Sequence, residues 1–172
     1  MDGAKMAGGE VVGVNSLTGE LWVSVKDGNR YFRWMLNRHY SARKYKDNRK
    51  VRLSVGPGNK LLLMTVDGQA IFAWRKFIDD AVPKQTGVNC AVFRNEGDYL
   101  SSNLILEAEK IAWKQWPGER LYTYVDETKL PQGKRPGYCF ECAGWIRLPY
   151  RTKSGKLVFE KQELSREVVT VK

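Results

Sequence analysis

The chain has 172 residues, 42% hydrophobic and 28% charged, a balance typical of a globular protein with a buried core. No apolar run approaches the roughly 20 residues of a membrane helix, and the first ten residues lack the apolar stretch of a secretory signal. We therefore expect a cytoplasmic protein without a membrane partner, folded as one domain over residues 1–172 with a flexible tail at residues 1–10.

The first half of the chain predicts a strand, a helix and several further strands. Residues 20–25 alternate and are rich in β-branched side chains, which predicts a strand. Residues 29–40 place Phe32, Met35, Leu36 and His39 at helical spacing, with Asp27 or Asn29 as the cap. A basic stretch follows, and three more strands are then predicted at residues 51–55, 60–65 and 70–75. The last two form a hairpin around residues 66–69.

The second half predicts a strand followed by a long helix. Residues 88–93 form a buried strand, and residues 100–116 repeat apolar positions at helical spacing, with Ser101 or Asp98 as the cap. A strand at residues 121–125, a short helix at 137–143 and a hairpin of residues 145–150 and 156–160 follow. Residues 164–172 are a final strand or tail. The fold class is therefore α/β (α+β), with a central mixed, mostly antiparallel sheet flanked by helices.

Positive charge is concentrated between Arg30 and Arg52. This segment holds nine basic residues and one acid, and the net charge of the whole chain is +10. Aromatic residues lie between the basic ones, and such residues can stack on exposed bases. The alternative is a solvated basic surface. We favour a polyanionic partner, and the candidate phosphate contacts are Arg38, Arg43, Lys44, Lys46 and Arg49.

The chain has three cysteines, and such a small, odd number argues against a disulfide framework. Cys139 and Cys142 form a CxxC pair, but a zinc site needs two more ligands, and the single histidine lies far away in sequence. We therefore predict no metal site. We interpret the pair as two small apolar residues one turn apart on a packed helix.

The order of these elements resembles that of the GNAT acyltransferases, most closely over residues 87–145. The resemblance implies a central strand that splays from its neighbour, and a loop that holds the pyrophosphate of acyl-CoA at the start of a long helix. Unpaired backbone N–H groups at a helix N-terminus favour an anion there. The implied cofactor residues are Arg94, Asn95, Gly97, Ser101 and Ser102. The chain has Asp98 and Tyr99 where the family has small residues, and Phe140 where many members have a general-acid tyrosine.

Several short motifs also resemble the Mom DNA-modification proteins of Mu-like phages. They lie at residues 37–41, 93–96, 122–126, 136–140 and 143–145. The resemblance implies transfer of a small acyl-derived group to the N6 amine of adenine in double-stranded DNA, which protects the DNA from restriction. The donor would be an acyl-CoA or an aminoacyl-tRNA. The residues implicated in catalysis are His39, Tyr40, Asp126 and Tyr138.

Each candidate also has a structural interpretation. A lone histidine is often a satisfied structural residue, an aspartate after a strand often caps a loop, and a tyrosine on a short helix often packs in the core. We assign five tryptophans to the scaffold: Trp34, Trp74, Trp113, Trp116 and Trp145. Two alternative functions stay open. One is a conventional acetyl-CoA-dependent N-acetyltransferase of a protein or small amine, and the other is a non-enzymatic nucleic-acid-binding protein.

Overall fold

The computed structural model describes residues 21–47, 49 and 51–164. Within them, seven strands form one sheet in the order β1-β2-β3-β4-β5-β7-β6, and all neighbours are antiparallel except β4 and β5. The strands are β1 (Trp22–Val25), β2 (Asn59–Thr65), β3 (Ala70–Lys76), β4 (Val88–Asn95), β5 (Leu121–Val125), β6 (Ile146–Arg151) and β7 (Leu157–Lys161). The helices are α1 (Arg30–Asn37), α2 (Ser101–Gln115) and α3 (Tyr138–Cys142). The predicted α+β class with a mixed, mostly antiparallel sheet is confirmed.

Helices cover both faces of the sheet. Leu61 and Leu63 of β2 belong to the larger apolar cluster, which includes the buried side of α2. Leu62 and Met64 point the other way, into the cluster that contains α1. Successive strand residues alternate between faces, so β2 and β3 are buried on both sides and carry long apolar runs.

Side chains of the sheet fix the position of α2. The indole N–H groups of Trp22 and Trp74 donate to the backbone oxygens of Leu104 and Ala108, at 3.1 and 3.0 Å. These acceptors lie one helical turn apart, so two strands hold the same face of α2. Deeper along the helix, the carboxylate of Glu109 is 2% exposed and accepts from Trp145 Nε1 at 2.5 Å and from Lys161 Nζ at 2.6 Å. This buried network connects α2 to the C-terminal hairpin.

The only parallel strand pair of the described sheet separates after three residues. Val88, Asn89 and Cys90 pair with Leu121, Tyr122 and Thr123. β4 then continues to Asn95 along β3, with Ala91 as an extra residue between the pairs that Cys90 and Val92 make with β3. A bulge of this kind bends its strand. β4 therefore leaves β5, and a gap opens between the two strands in the middle of the sheet.

At one edge of the sheet lies β6, which is exposed along most of its length. Its register against β7 shifts between Arg147 and Arg151, where three residues of β6 lie opposite one of β7. Pro149 falls inside this irregular stretch and has no backbone N–H to donate.

Most predicted elements agree with the structure to within a few residues, but four predictions are wrong. Residues 51–55 are not a strand, because the Asp27 carboxylate accepts from the backbone N–H groups of Ser54 and Val55 instead. The first helix ends at Asn37, before His39. The N-cap residue of α2 is Leu100, and no side chain of the described residues caps this helix. Trp34 is not part of the scaffold, since it is 62% exposed.

Asn29 caps α1, as one of the two predicted candidates. The predicted tail at residues 1–10 and most of the predicted final strand lie outside the described residues. Among the helices of the described chain, none combines the length and the apolar character that crossing a membrane requires.

Candidate active site in the gap between β4 and β5

A cavity of about 630 Å³ occupies the gap between β4 and β5. All four residues proposed for catalysis line it, although they come from distant parts of the chain: His39, Tyr40, Asp126 and Tyr138. Its walls include residues from both faces of the sheet, since Cys90 and Val125 belong to the cluster around α2 and Val92 to the cluster around α1. The sequence motifs therefore converge on one place.

His39 is held by the chain on which it lies. Its Nδ1 accepts from the backbone N–H of Ser41 at 3.2 Å and lies 2.7 Å from the Ser41 hydroxyl. Because Nδ1 is an acceptor, the proton of the neutral ring is on Nε2. Burial, and then the positive charge of Arg94, lower the pKa of His39 to about 4. The ring is neutral at physiological pH, and its hydrogen bonds suit a supporting role in the cavity wall.

Tyr40 and Asp126 meet across the gap. The Tyr40 ring packs on His39 with centroids 4.3 Å apart, and 40% of the residue stays exposed. Burial of the hydroxyl end raises the pKa of Tyr40, although an interaction with the Asp126 backbone lowers it in part. Tyr40 therefore keeps its proton at neutral pH and can donate a hydrogen bond to a molecule in the cavity.

Asp126 follows β5 and caps the 3₁₀ turn Glu127–Lys129. Its Oδ1 accepts from the backbone N–H and the hydroxyl of Thr128, at 3.1 and 2.6 Å. These hydrogen bonds, helped by Lys129 and Lys156, lower the pKa of Asp126. The carboxylate is thus ionised, and its Oδ2 has no hydrogen-bond partner among the described residues. The structural role of this residue leaves one oxygen available for a ligand.

Tyr138 begins α3 and is 56% exposed, so it is not a core aromatic. An interaction with the Cys142 thiol raises the pKa of Tyr138. Gly137 directly before it has φ +73°, and a Cβ there would come within 2.2 Å of the Phe159 ring. Only glycine combines this conformation with this close approach, and it fixes where α3 and Tyr138 begin.

The predicted cofactor loop is only partly at the cavity. Asn95 and Ser101 line it, whereas Arg94, Gly97 and Ser102 are not among its lining residues. The guanidinium of Arg94 donates to the backbone oxygen of Arg38 at 2.8 Å and pairs with Glu96 at 2.5 Å. The Asn95 amide braces the loop by contacting Tyr99 O, Ser101 Oγ and Gly97 N. Gly97 instead lines a smaller depression near Asp67 and Asp98.

The basic segment divides into paired and unpaired cations. Arg38 pairs with Glu96 and lies 3.4 Å above the Trp34 ring, and Arg49 pairs with Asp47 at 2.6 Å and lies over Tyr45. Of the five cations predicted to contact phosphates, the other three are exposed and have no ion pair among the described residues, and we call them the unpaired cations: Arg43, Lys44 and Lys46. They follow the His39–Tyr40 wall directly in sequence.

The CxxC pair is only partly packed, because Cys139 is half-buried and lines the cavity while Cys142 is exposed. Burial raises the pKa of Cys139, which makes it a poor nucleophile. In the part of the chain that the structure describes, no group of three or more His, Cys, Asp or Glu side chains is arranged to hold a metal ion.

Sequence reasoning missed the role of Tyr124. It lines the cavity, and its hydroxyl donates to Oδ2 of the buried Asp79 at 2.8 Å. The hydroxyl of Tyr122 donates to the same oxygen at 2.7 Å. Two tyrosines at alternate positions of β5 share one face, and that spacing was the available signal.

Comparisons with protein-family models, with curated proteins and with solved structures gave no match for this chain. The cavity and the charges around it are therefore the features of the chain that bear on its function.

Proposed function

We propose that the chain is a GNAT-like transferase that adds a small acyl-derived group to the N6 amine of adenine in DNA. The observation that carries the proposal is the cavity in the β4–β5 gap, lined by His39, Tyr40, Asp126 and Tyr138. The basic segment next to it supports a polyanionic acceptor.

The gap suits an extended donor. Beyond Cys90, no strand of the described residues pairs with β4 on the side of β5, so its backbone can hydrogen-bond an amide-bearing chain such as the pantetheine arm of acyl-CoA. Ser101 lies at the N-terminus of α2, which has no side-chain cap and can favour an anion. An aminoacyl-tRNA donor would place its ester in the same gap.

The proposed step forms a bond between the adenine nitrogen and the acyl carbon, and breaks the bond from that carbon to the leaving group. The amine donates to Oδ2 of Asp126, which stabilises the positive charge that develops on nitrogen and takes up its proton. Tyr138 supplies a proton to the departing group. His39 holds the Tyr40 ring, which stacks on or hydrogen-bonds to the base. An enzyme reaches a base most easily once it is out of the duplex stack, and the exposed aromatics here suit such a base.

Mass spectrometry of nucleosides tests the proposal. DNA is isolated from cells that express the wild type or the Asp126→Asn variant. We expect a modified deoxyadenosine only with the wild type, together with protection of the DNA from adenine-sensitive restriction enzymes. Unmodified DNA in the presence of folded protein would contradict the proposal. DNA binding without a product would favour a non-enzymatic binder, and acetylation of a protein or small amine instead would favour the N-acetyltransferase alternative.

A further inference from the structure

The wall of the cavity formed by the loop before α3 and the hairpin of β6 and β7 is positively charged. Lys134, Arg135 and Lys156 all line the cavity, and Asp126 is the single carboxylate among its described lining residues. The ionisable groups of the lining thus include three cations and one anion, apart from the neutral His39.

Two of these cations are available to a ligand. The Arg135 guanidinium pairs with Glu141 at 2.6 Å. Lys134 and Lys156 form no ion pair within the described residues. Lys156 lies close enough to Asp126 to contribute to its lowered pKa, so it stands beside the proposed reaction centre.

The loop between β4 and α2 lacks a comparable free charge. Arg94, near the end of β4, is neutralised by Glu96 of this loop, which also pairs with Arg38. The N–H of Glu96 donates to Gln69 O at 2.8 Å, and that of Gly97 to Asn95 Oδ1 at 3.0 Å. An anion that enters the cavity therefore finds its strongest countercharge on Lys134 and Lys156.

We propose that Lys134 and Lys156 bind the phosphate-bearing part of a small-molecule donor. The inference rests on the proposed transferase function and specifies its donor as a phosphorylated acyl carrier of the coenzyme A type. The loop between β4 and α2 then contributes little of the electrostatic affinity.

Calorimetric titration with coenzyme A tests this assignment on the full chain. The Lys134→Gln/Lys156→Gln variant should bind about tenfold more weakly or worse, because charged hydrogen bonds to phosphate are lost. The matched control is Lys84→Gln/Lys153→Gln, which removes two exposed charges outside the cavity lining and should bind as the wild type does. Arg94→Gln should likewise change the affinity little. Pantetheine, which lacks the phosphates, should bind the wild type and the cavity variant equally.

Equal weakening by both double variants, or no weakening by either, would overturn the assignment. So would a loss of DNA affinity in the cavity variant without a loss of coenzyme A affinity, since the lysines would then serve the nucleic acid. A wild type that does not bind coenzyme A but still modifies adenine in cells would reject this inference and leave the proposed function standing. Unmodified DNA together with lysine-dependent coenzyme A binding would reject the proposed function and leave this assignment of the two lysines standing.

Discussion

Replacing Asp126 with asparagine tests the proposed chemistry most directly, because the change separates its two roles. Asparagine keeps an oxygen that can accept from the Thr128 backbone N–H, now 3.1 Å from Oδ1, so the turn after β5 should persist. It removes the negative charge and the proton acceptor at Oδ2. General bases contribute roughly 100- to 10,000-fold to a rate. The lowered pKa makes this carboxylate a weak base, so we expect a loss near the lower end, about 100-fold.

The assay is the yield of modified deoxyadenosine per amount of folded protein, together with the unfolding midpoint in denaturant. Asp67→Asn is a closely matched control, because Asp67 also accepts from the backbone N–H two residues later at 3.1 Å, but lies outside the cavity. It should retain full activity. The reasoning would be refuted by an Asp126→Asn protein with full activity, or by one whose activity falls only as far as its folded fraction.

Three further outcomes follow from the structure. The pKa of His39 is lowered from 6.5 to about 4, so the imidazole binds a proton more readily in the unfolded chain than in the folded one. The free energy of unfolding should therefore be at its full value above pH 6.5 and decrease as the pH drops toward 4. Chemical denaturation across this range should show the decline, and His39→Gln should flatten it. Gly133→Ala should lower the free energy of unfolding by about 1–2 kcal/mol through its positive φ alone. Gly137→Ala should lower it by roughly 1–3 kcal/mol more, because the added Cβ clashes with Phe159. Equal denaturation midpoints for the two variants would contradict this. Replacing the three unpaired cations with alanine should reduce the salt-dependence slope of DNA binding by up to about 2.7, since each phosphate contact contributes about 0.9. Arg49→Ala, which removes a paired cation, is the comparison, and an unchanged slope in the triple variant would assign these cations to an ordinary solvated surface.

Local patterns predicted the elements whose own residues determine them. β5 is correct to the residue, and α2 to within one residue at each end, because apolar periodicity and the stop at Pro117–Gly118 are local signals. The predicted strand at residues 51–55 failed because its pairing depends on a distant side chain, Asp27. Strand propensity in this short run could not reveal that the Asp27 carboxylate would accept hydrogen bonds from its backbone N–H groups.

The candidate site was predicted only in part, because local motifs identify single residues but not the distant residues that the fold brings next to them. Motifs pointed to His39 and Asp126 individually, and the structure brings them to one cavity. Lys134 and Lys156 carry no motif, since a lysine in a loop resembles any solvated charge until the fold turns it toward a cavity. Arg94, near the end of β4, shows the opposite error. It matched a motif for a cofactor contact, but its guanidinium pairs with Glu96, and the sequence did not predict this ion pair.

The irregular edge strand β6 affects how copies of the chain can meet. A regular sheet edge presents a row of unpaired donors and acceptors on which a strand from a second molecule can assemble. Here Pro149 interrupts the row of backbone donors, and the register shift breaks its regular spacing. The positive charge of Arg147 would also meet a like charge when two such edges approach. Edge-to-edge assembly through this side of the sheet is therefore disfavoured, and the irregular β6 reduces the tendency of the chain to aggregate.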